Sequence, residues 1–258
     1  MKSVYEFLNG YFDRVFVVTL RRAADRQEAI KQHLEGLNYE LFWAVDKNDF
    51  TLSDSIKSGV YDEAKAVKFN RHRHSKLSLG EIACAWSHRN LYEKIVQEGH
   101  ERVLIFEDDV VPKLQMLELL LTTMNQLPEH WELVYLGFLK NEEITPKHWR
   151  KKQFYKLLAT FRAYKWLTRH HVNNLYPKPY SANLRIAGLH DCTHAYAVSK
   201  SAAEKLLKAQ TPLYSRADEL MTHEVIRGNL AAFICRPTFF DQEDFARGHA
   251  NADSYIWS

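Results

Sequence analysis

Glycine is scarce in this chain, with nine in 258 residues. None fall into the GxGxxG or GxxxxGK[S/T] spacings whose bare backbone cradles phosphates. Dinucleotide enzymes and P-loop nucleotide hydrolases of the usual kinds are thereby excluded. Cysteine is scarcer still. Cys84, Cys192 and Cys235 are far apart and odd in number, so they form neither a disulfide framework nor a thiolate metal motif. Each reads as a small core residue in a reducing compartment. No run has the length and apolarity of a transmembrane helix. The opening stretch MKSVYEFLNGYFDRVFVV carries Glu6 and Asp13 and no small-residue cleavage site, so it does not resemble a signal peptide and the expected location is the cytoplasm. Net charge is small, at +3, and the chain as a whole is not an obvious nucleic-acid binder. Internal repeats and low-complexity linkers are also missing, and the length fits one large domain.

What is present is concentrated at residues 102–111, RVLIFEDDVV. Val103–Phe106 reads as a strand buried on both faces. It ends in Glu107, Asp108 and Asp109, three carboxylates that are costly there unless water, a cation or a hydrogen-bond network receives them. Ligands of open α/β sheets collect at the carboxyl ends of strands, so the placement points to a divalent metal and, through it, a phosphate. The alternative is an acidic β→α turn with Asp109 capping the next helix. Residues two apart on a strand point the same way, so Glu107 and Asp109 converge on one ion if the strand persists, with Asp108 directed elsewhere. Hard oxygen ligands suit Mg²⁺ or Mn²⁺.

Around this stretch the pattern is α/β. Arg14–Leu20 predicts a strand, Asp25–Leu34 a helix and Glu40–Val45 a strand ending near Asp46, which is the spacing of a βαβ unit and a parallel sheet. Residues 50–76 predict short helical pieces and a loop, with a basic cluster Arg71-His72-Arg73-His74. Ser78 and Glu81 form a capping-box pair opening a helix that Gly99 stops. Pro112 is expected to open a helix through Met124. Trp131–Leu136 is a strand closed by Gly137, Ala195–Val198 a strand followed by a Ser199-capped helix, Asp218–Ile226 a helix and Leu230–Ile234 a strand.

The turn after the first strand, Thr19-Leu20-Arg21-Arg22-Ala23-Ala24-Asp25-Arg26, borders the expected nucleotide crevice. Arg22 and Arg26 share a helical face if the helix begins early, and pair there with a diphosphate. Otherwise the helix start is a solvated, salt-bridged one. Asp218 and Glu219 read either as the N-cap of their helix or as a general base facing the metal across the crevice. His249 is a further metal candidate, and His88 reads as a satisfied core histidine. Residues 144–190 contain ten Lys or Arg, interleaved aromatics, and no Asp or Glu. This segment reads as a solvated helical insertion, a nucleic-acid surface without a recognition motif, or a patch for an anionic glycolipid or membrane surface.

Four blocks in order, VFVVTLRRAADR at 15–26, LSLGEIACAWSHRNLYEKIV at 77–96, VLIFEDDVV at 103–111, and HDCTHAYAVSKSAAEKLL at 190–207 with ADELM at 217–221, resemble glycosyltransferase family 25, the lipooligosaccharide and lipopolysaccharide biosynthesis enzymes related to procollagen galactosyltransferases. Thr19 stands where that family usually has Asn, and Asp191-Cys192 replace its usual lead-in to His194. The resemblance implies a single GT-A-like domain over 1–258, an α/β nucleotide-binding sandwich with a mostly parallel central sheet and 144–190 as a basic helical insertion. It implies an inverting, metal-dependent transferase that moves a hexose, galactose from UDP-galactose first among the choices, to a lipooligosaccharide core acceptor. By that resemblance Asp109, and Glu107 beside it, would bind Mn²⁺ or Mg²⁺. Thr19, Leu20, Arg22, Arg26, Asp46 and Asp108 would line the donor, and Asp218 or Glu219 would be the base. The expected partners are the nucleotide sugar, an anionic glycolipid and the cytoplasmic face of the inner membrane, without nucleic acid. Two other classes stay open: a non-catalytic module for polyanions or lipid headgroups, and a metal-dependent phosphotransferase.

Overall fold

The computed structural model describes residues 2–69, 76–161 and 168–243. Its first part runs α1 (Lys2–Tyr11), β1 (Arg14–Thr19), α2 (Ala24–His33), β2 (Glu40–Trp43), α3 (Leu52–Lys57), α4 (Glu63–Phe69) and α5 (Leu79–Glu98). The middle runs β3 (Arg102–Glu107), β4 (Val110–Pro112), α6 (Glu118–Met124), β5 (Leu133–Leu139), α7 (Pro146–Thr160), α8 (Arg169–Asn174), β6 (Lys178–Pro179) and β7 (Leu184–Ile186). The last part runs β8 (Asp191–Ser199), α9 (Lys200–Ala209), α10 (Ala217–Ile226), β9 (Ala232–Cys235) and β10 (Phe240–Gln242).

An eight-stranded sheet in the order β2-β1-β3-β8-β5-β9-β7-β6 forms the centre. Its pairings, parallel for β1–β2, β1–β3 and β5–β9 and antiparallel elsewhere, leave every strand except β8 and β7 pointing the same way. The fold is therefore mixed α/β with a mostly parallel central sheet. Strand alternation builds two cores from one sheet. Val15, Val17, Leu104, Phe106, Val134 and Leu136 face α1, α2 and α6. Phe16, Val103, Ile105, Leu133, Tyr135, Tyr196 and Val198 face α5, α9 and α10. Truncating one such fully buried side chain to Ala costs about 2–5 kcal/mol, a large share of the 5–15 kcal/mol typical of a whole domain. The strand that ends in the acidic triplet is held rigidly between two layers.

The long α5 starts where its sequence predicts. The Ser78 hydroxyl accepts from the Glu81 N–H, the Glu81 carboxylate accepts from the Ser78 N–H, and Gly99 ends the helix at φ 74°. Pro112 departs from expectation. It closes β4, which pairs antiparallel with β10, and the helix begins only at Glu118. Pro112 sits in a two-stranded ribbon, where a missing N–H is tolerated at an edge. Nor does Gly137 end its strand. β5 continues to Leu139 through a bulge opposite Ala195. A side chain at 137 would meet the His194 ring at 2.5 Å and the Phe240 carbonyl at 2.8 Å, so glycine permits a close approach. Within segment 144–190 the described residues supply α7 and α8, then β6 and β7 at the sheet edge. The basic cluster at 71–74 lies outside the described residues.

Candidate active site

The carboxyl end of β3 opens toward the turn after β1, because the two strands are parallel neighbours. Asp108 lies between them. Its Oδ2 accepts from the Thr19 hydroxyl at 2.7 Å, and its Oδ1 accepts from Arg26 Nη1 at 2.7 Å. The same arginine nitrogen lies 3.7 Å from Asp109 Oδ2. Arg22 pairs instead with Asp46 at 2.5 Å. Burial alone would raise the Asp46 carboxyl, but the Arg22 hydrogen bond, the Asn48 N–H and the Arg22 charge hold it below the usual range. α2 begins at Ala24, so Arg22 sits in the preceding turn and the two arginines do not share a helical face. Leu20 contributes its carbonyl, which accepts from the Gln27 side chain at 2.8 Å and from the Ala23 N–H at 3.0 Å. Thr19, Leu20, Arg22, Arg26, Asp46 and Asp108 thus gather at one end of the sheet.

Asp109 does not cap a helix, since β4 follows it. Its Oδ2 accepts from Gln242 Nε2 at 3.3 Å, while its buried Oδ1 has no hydrogen-bond partner. Burial pushes its carboxyl up to about 6 despite the Arg26 charge. Glu107 accepts from the Thr193 hydroxyl at 2.7 Å. Burial, followed by the Asp109 charge, pushes it up to about 8.

Asp218 lies close enough to add its own repulsion to Glu107. It is not an N-cap, a position held by Arg216. Its carboxylate accepts from the Cys192 N–H at 3.2 Å and the Glu219 N–H at 2.8 Å, and burial raises its pKa while the Arg216 charge opposes the rise. Glu219 is tied to Arg216 by an ion pair, and Arg216 also lies 3.9 Å from Glu81 of the α5 capping box. Of the two predicted bases, Asp218 is the one joined electrostatically to the acidic strand end.

A divalent cation is the group this chemistry suggests, and Asp109 Oδ1 provides the test. A buried acceptor left unmatched costs about 1–3 kcal/mol, more when charged, and a cation satisfies it. Among the described residues no three His, Cys, Asp or Glu side chains converge into a metal cage. The residues therefore fit a cation held by one or two carboxylates and shared with substrate oxygens, a mode Mg²⁺ and Mn²⁺ adopt, rather than a closed protein site. His249 lies outside the described residues.

Three supporting residues were invisible in the local sequence. Thr193 and Gln242 are ordinary polar residues on strands distant in sequence, and only sheet pairing brings them to Glu107 and Asp109. Cys192 has φ 63°, which aims its N–H at Asp218. His88 is a core histidine as expected. It bonds the Tyr196 hydroxyl at 2.7 Å, and burial lowers it to about 4.

Among comparisons with known proteins, the family model for glycosyltransferase family 25 (LPS biosynthesis protein) matches residues 12–221. Over 131 residues, 49% of this chain and 22% of the relative, the chain is 31% identical to the inactive glycosyltransferase 25 family member 3 of Homo sapiens. It is 27% identical to Procollagen galactosyltransferase 2 of Homo sapiens, over 49% of this chain and 21% of the relative. The matched segment spans about a fifth of the length of these relatives. Among solved structures, mouse xyloside xylosyltransferase 1 aligns over 84% of this chain and 64% of its own, at 17% identity and a TM-score of 0.33, a likeness that carries no argument.

Proposed function

The chain belongs to glycosyltransferase family 25, and on that premise we propose that it transfers a hexose from a UDP-sugar, UDP-galactose first, to a lipooligosaccharide or lipopolysaccharide core acceptor. The observation that carries the proposal is the unpartnered, buried Oδ1 of Asp109 at the carboxyl end of β3. Asp109, with Glu107 beside it, would hold Mn²⁺ or Mg²⁺. When bound, that cation neutralises charge on the departing diphosphate.

The chain's own residues do the rest. Asp108 keeps Arg26 at the strand end and Asp46 keeps Arg22 beside it, so two guanidinium groups are at hand for phosphate oxygens. Thr19 and Leu20 define the turn that receives the nucleotide. Asp218 removes the proton from the acceptor hydroxyl as that oxygen bonds to the anomeric carbon. The bond from that carbon to the diphosphate oxygen breaks, UDP leaves, and one displacement inverts the centre. The burial that raises the Asp218 pKa makes it a stronger base than an exposed carboxylate. No helix among the described residues is long and apolar enough to cross a membrane, and the proposed place of action is the cytoplasmic face of one.

A UDP-sugar panel tests the reading: consumption with Mn²⁺ present and its loss on chelation are expected, and a protein that neither binds nor consumes any nucleotide sugar contradicts it. The second reading, a binding module without turnover, is favoured by the relative whose name says inactive. It predicts polyanion or headgroup binding with no UDP-sugar consumed.

A further inference from the structure

We propose that α7 is an interfacial helix that docks the protein on an anionic lipid surface. The helix is well defined locally. The Thr145 hydroxyl accepts from the His148 N–H, the His148 side chain accepts from the Thr145 N–H, and Pro146 occupies the first turn. It has two opposed apolar faces. Ala159 and Tyr155, four apart, pack inward with Leu158 against Val172 of α8. Phe154, Leu157 and Phe161, spaced three and four apart, form a stripe on the other side. That stripe faces solvent: Phe154 is 57%, Leu157 55% and Phe161 75% exposed, with Trp149 60% exposed a turn before. Helices in globular proteins present charge on that side, and none of the described residues covers the stripe.

The charges around it select the partner. Arg150 continues the stripe toward the helix start, and Lys147 and Lys151 flank it, all three exposed. No carboxylate occurs from Ile144 to His190. The nearest in sequence, Glu142 and Glu143, precede the helix, and Glu143 is paired with Arg236. A cationic rim around exposed phenylalanine and leucine matches anionic headgroups lying above acyl chains. Leucine offers nothing to a stacked base, so a nucleic acid fits this surface less well. At about 1.5 Å per residue the helix is some 20 Å long, enough to lie along the membrane plane. The inference uses the surface of α7 alone and does not depend on the glycosyl-transfer reading.

Sedimentation of the full chain with phosphatidylglycerol–phosphatidylcholine vesicles, against phosphatidylcholine alone and against single-stranded RNA, tests it. Wild type is expected to bind the anionic vesicles, and added salt to weaken the binding. Phe154→Ser/Leu157→Ser/Phe161→Ser and Lys147→Glu/Arg150→Glu/Lys151→Glu should each lose roughly tenfold or more in affinity. Both sets are exposed, so unchanged far-UV circular dichroism and thermal midpoints are expected. Asp109→Asn should bind vesicles like wild type, separating this surface from the catalytic one. Absent vesicle binding, triple variants that bind like wild type, or RNA preferred over vesicles would overturn the proposal.

Discussion

Asp109 concentrates the account at the residue scale. Its carboxylate is buried, its Oδ1 lacks a partner and its pKa is raised, so the folded chain bears a cost that the proposed cation would relieve. The sign of the pH dependence follows. Glu107 and Asp109 both have folded pKa values above their unfolded ones, so their contribution to stability is full below about pH 4 and is lost as pH rises through about 6 and about 8. Without cation, Asp109→Asn should therefore stabilise the protein at pH 8, by about 1–3 kcal/mol, or several degrees in Tm at about 2–4 °C per kcal/mol. Thermal melts from pH 5 to 8 check this, and an unchanged or lower Tm for the variant at pH 8 counts against it. Added Mn²⁺ should raise the Tm of wild type and leave Asp109→Asn unmoved. Asp218→Asn should lower kcat by about 10²–10⁴-fold. Glu219→Gln, which touches only the Arg216 pair, should cost far less and act through stability. A pH–rate profile rising as Asp218 ionises accompanies this, and equal losses for the two variants would reassign the base.

Elements were legible where local chemistry decides them. The α5 helix has its capping box and left-handed stop within its own sequence, and the continuous apolar runs of β1 and β3 mark strands buried on both faces. Ser78→Ala should cost about 1 kcal/mol by losing the cap, and Ile105→Ala about 2–5 kcal/mol by leaving a cavity, both read from denaturant unfolding. Elements settled by distant pairing were not legible. Pro112 has a strong local signature for a helix start, yet the β10 partner over 120 residues later draws it into a ribbon. Gly137 looks like a strand terminus but marks the place where the His194 ring and the Phe240 carbonyl come close. The same reason hid Thr193 and Gln242: a hydrogen bond to a carboxylate across a sheet has no period in sequence. Asp218 was legible as a carboxylate near a helix start, but its role as something other than a cap came only from Arg216 taking the cap position.

Over the whole molecule, one end of a mostly parallel sheet collects the groups the chemistry needs, while α7 presents a separate cationic and apolar surface. On the proposed reading these two regions divide the labour: β1 and β3 would receive the donor, Asp218 of α10 would act on the acceptor, and the α7 surface would hold the protein on a lipid layer. Family membership points to glycosyl transfer, and the proposed site for that reaction is the strand-end carboxylates. The most direct test is calorimetric titration of UDP-galactose in the presence of Mn²⁺, paired with a turnover assay on the same samples. Wild type should bind and consume the donor, Asp218→Asn should bind it with similar affinity without turnover, and Asp109→Asn should bind it roughly 100-fold more weakly. An Asp109→Asn protein that binds and consumes UDP-galactose as wild type does would contradict the account.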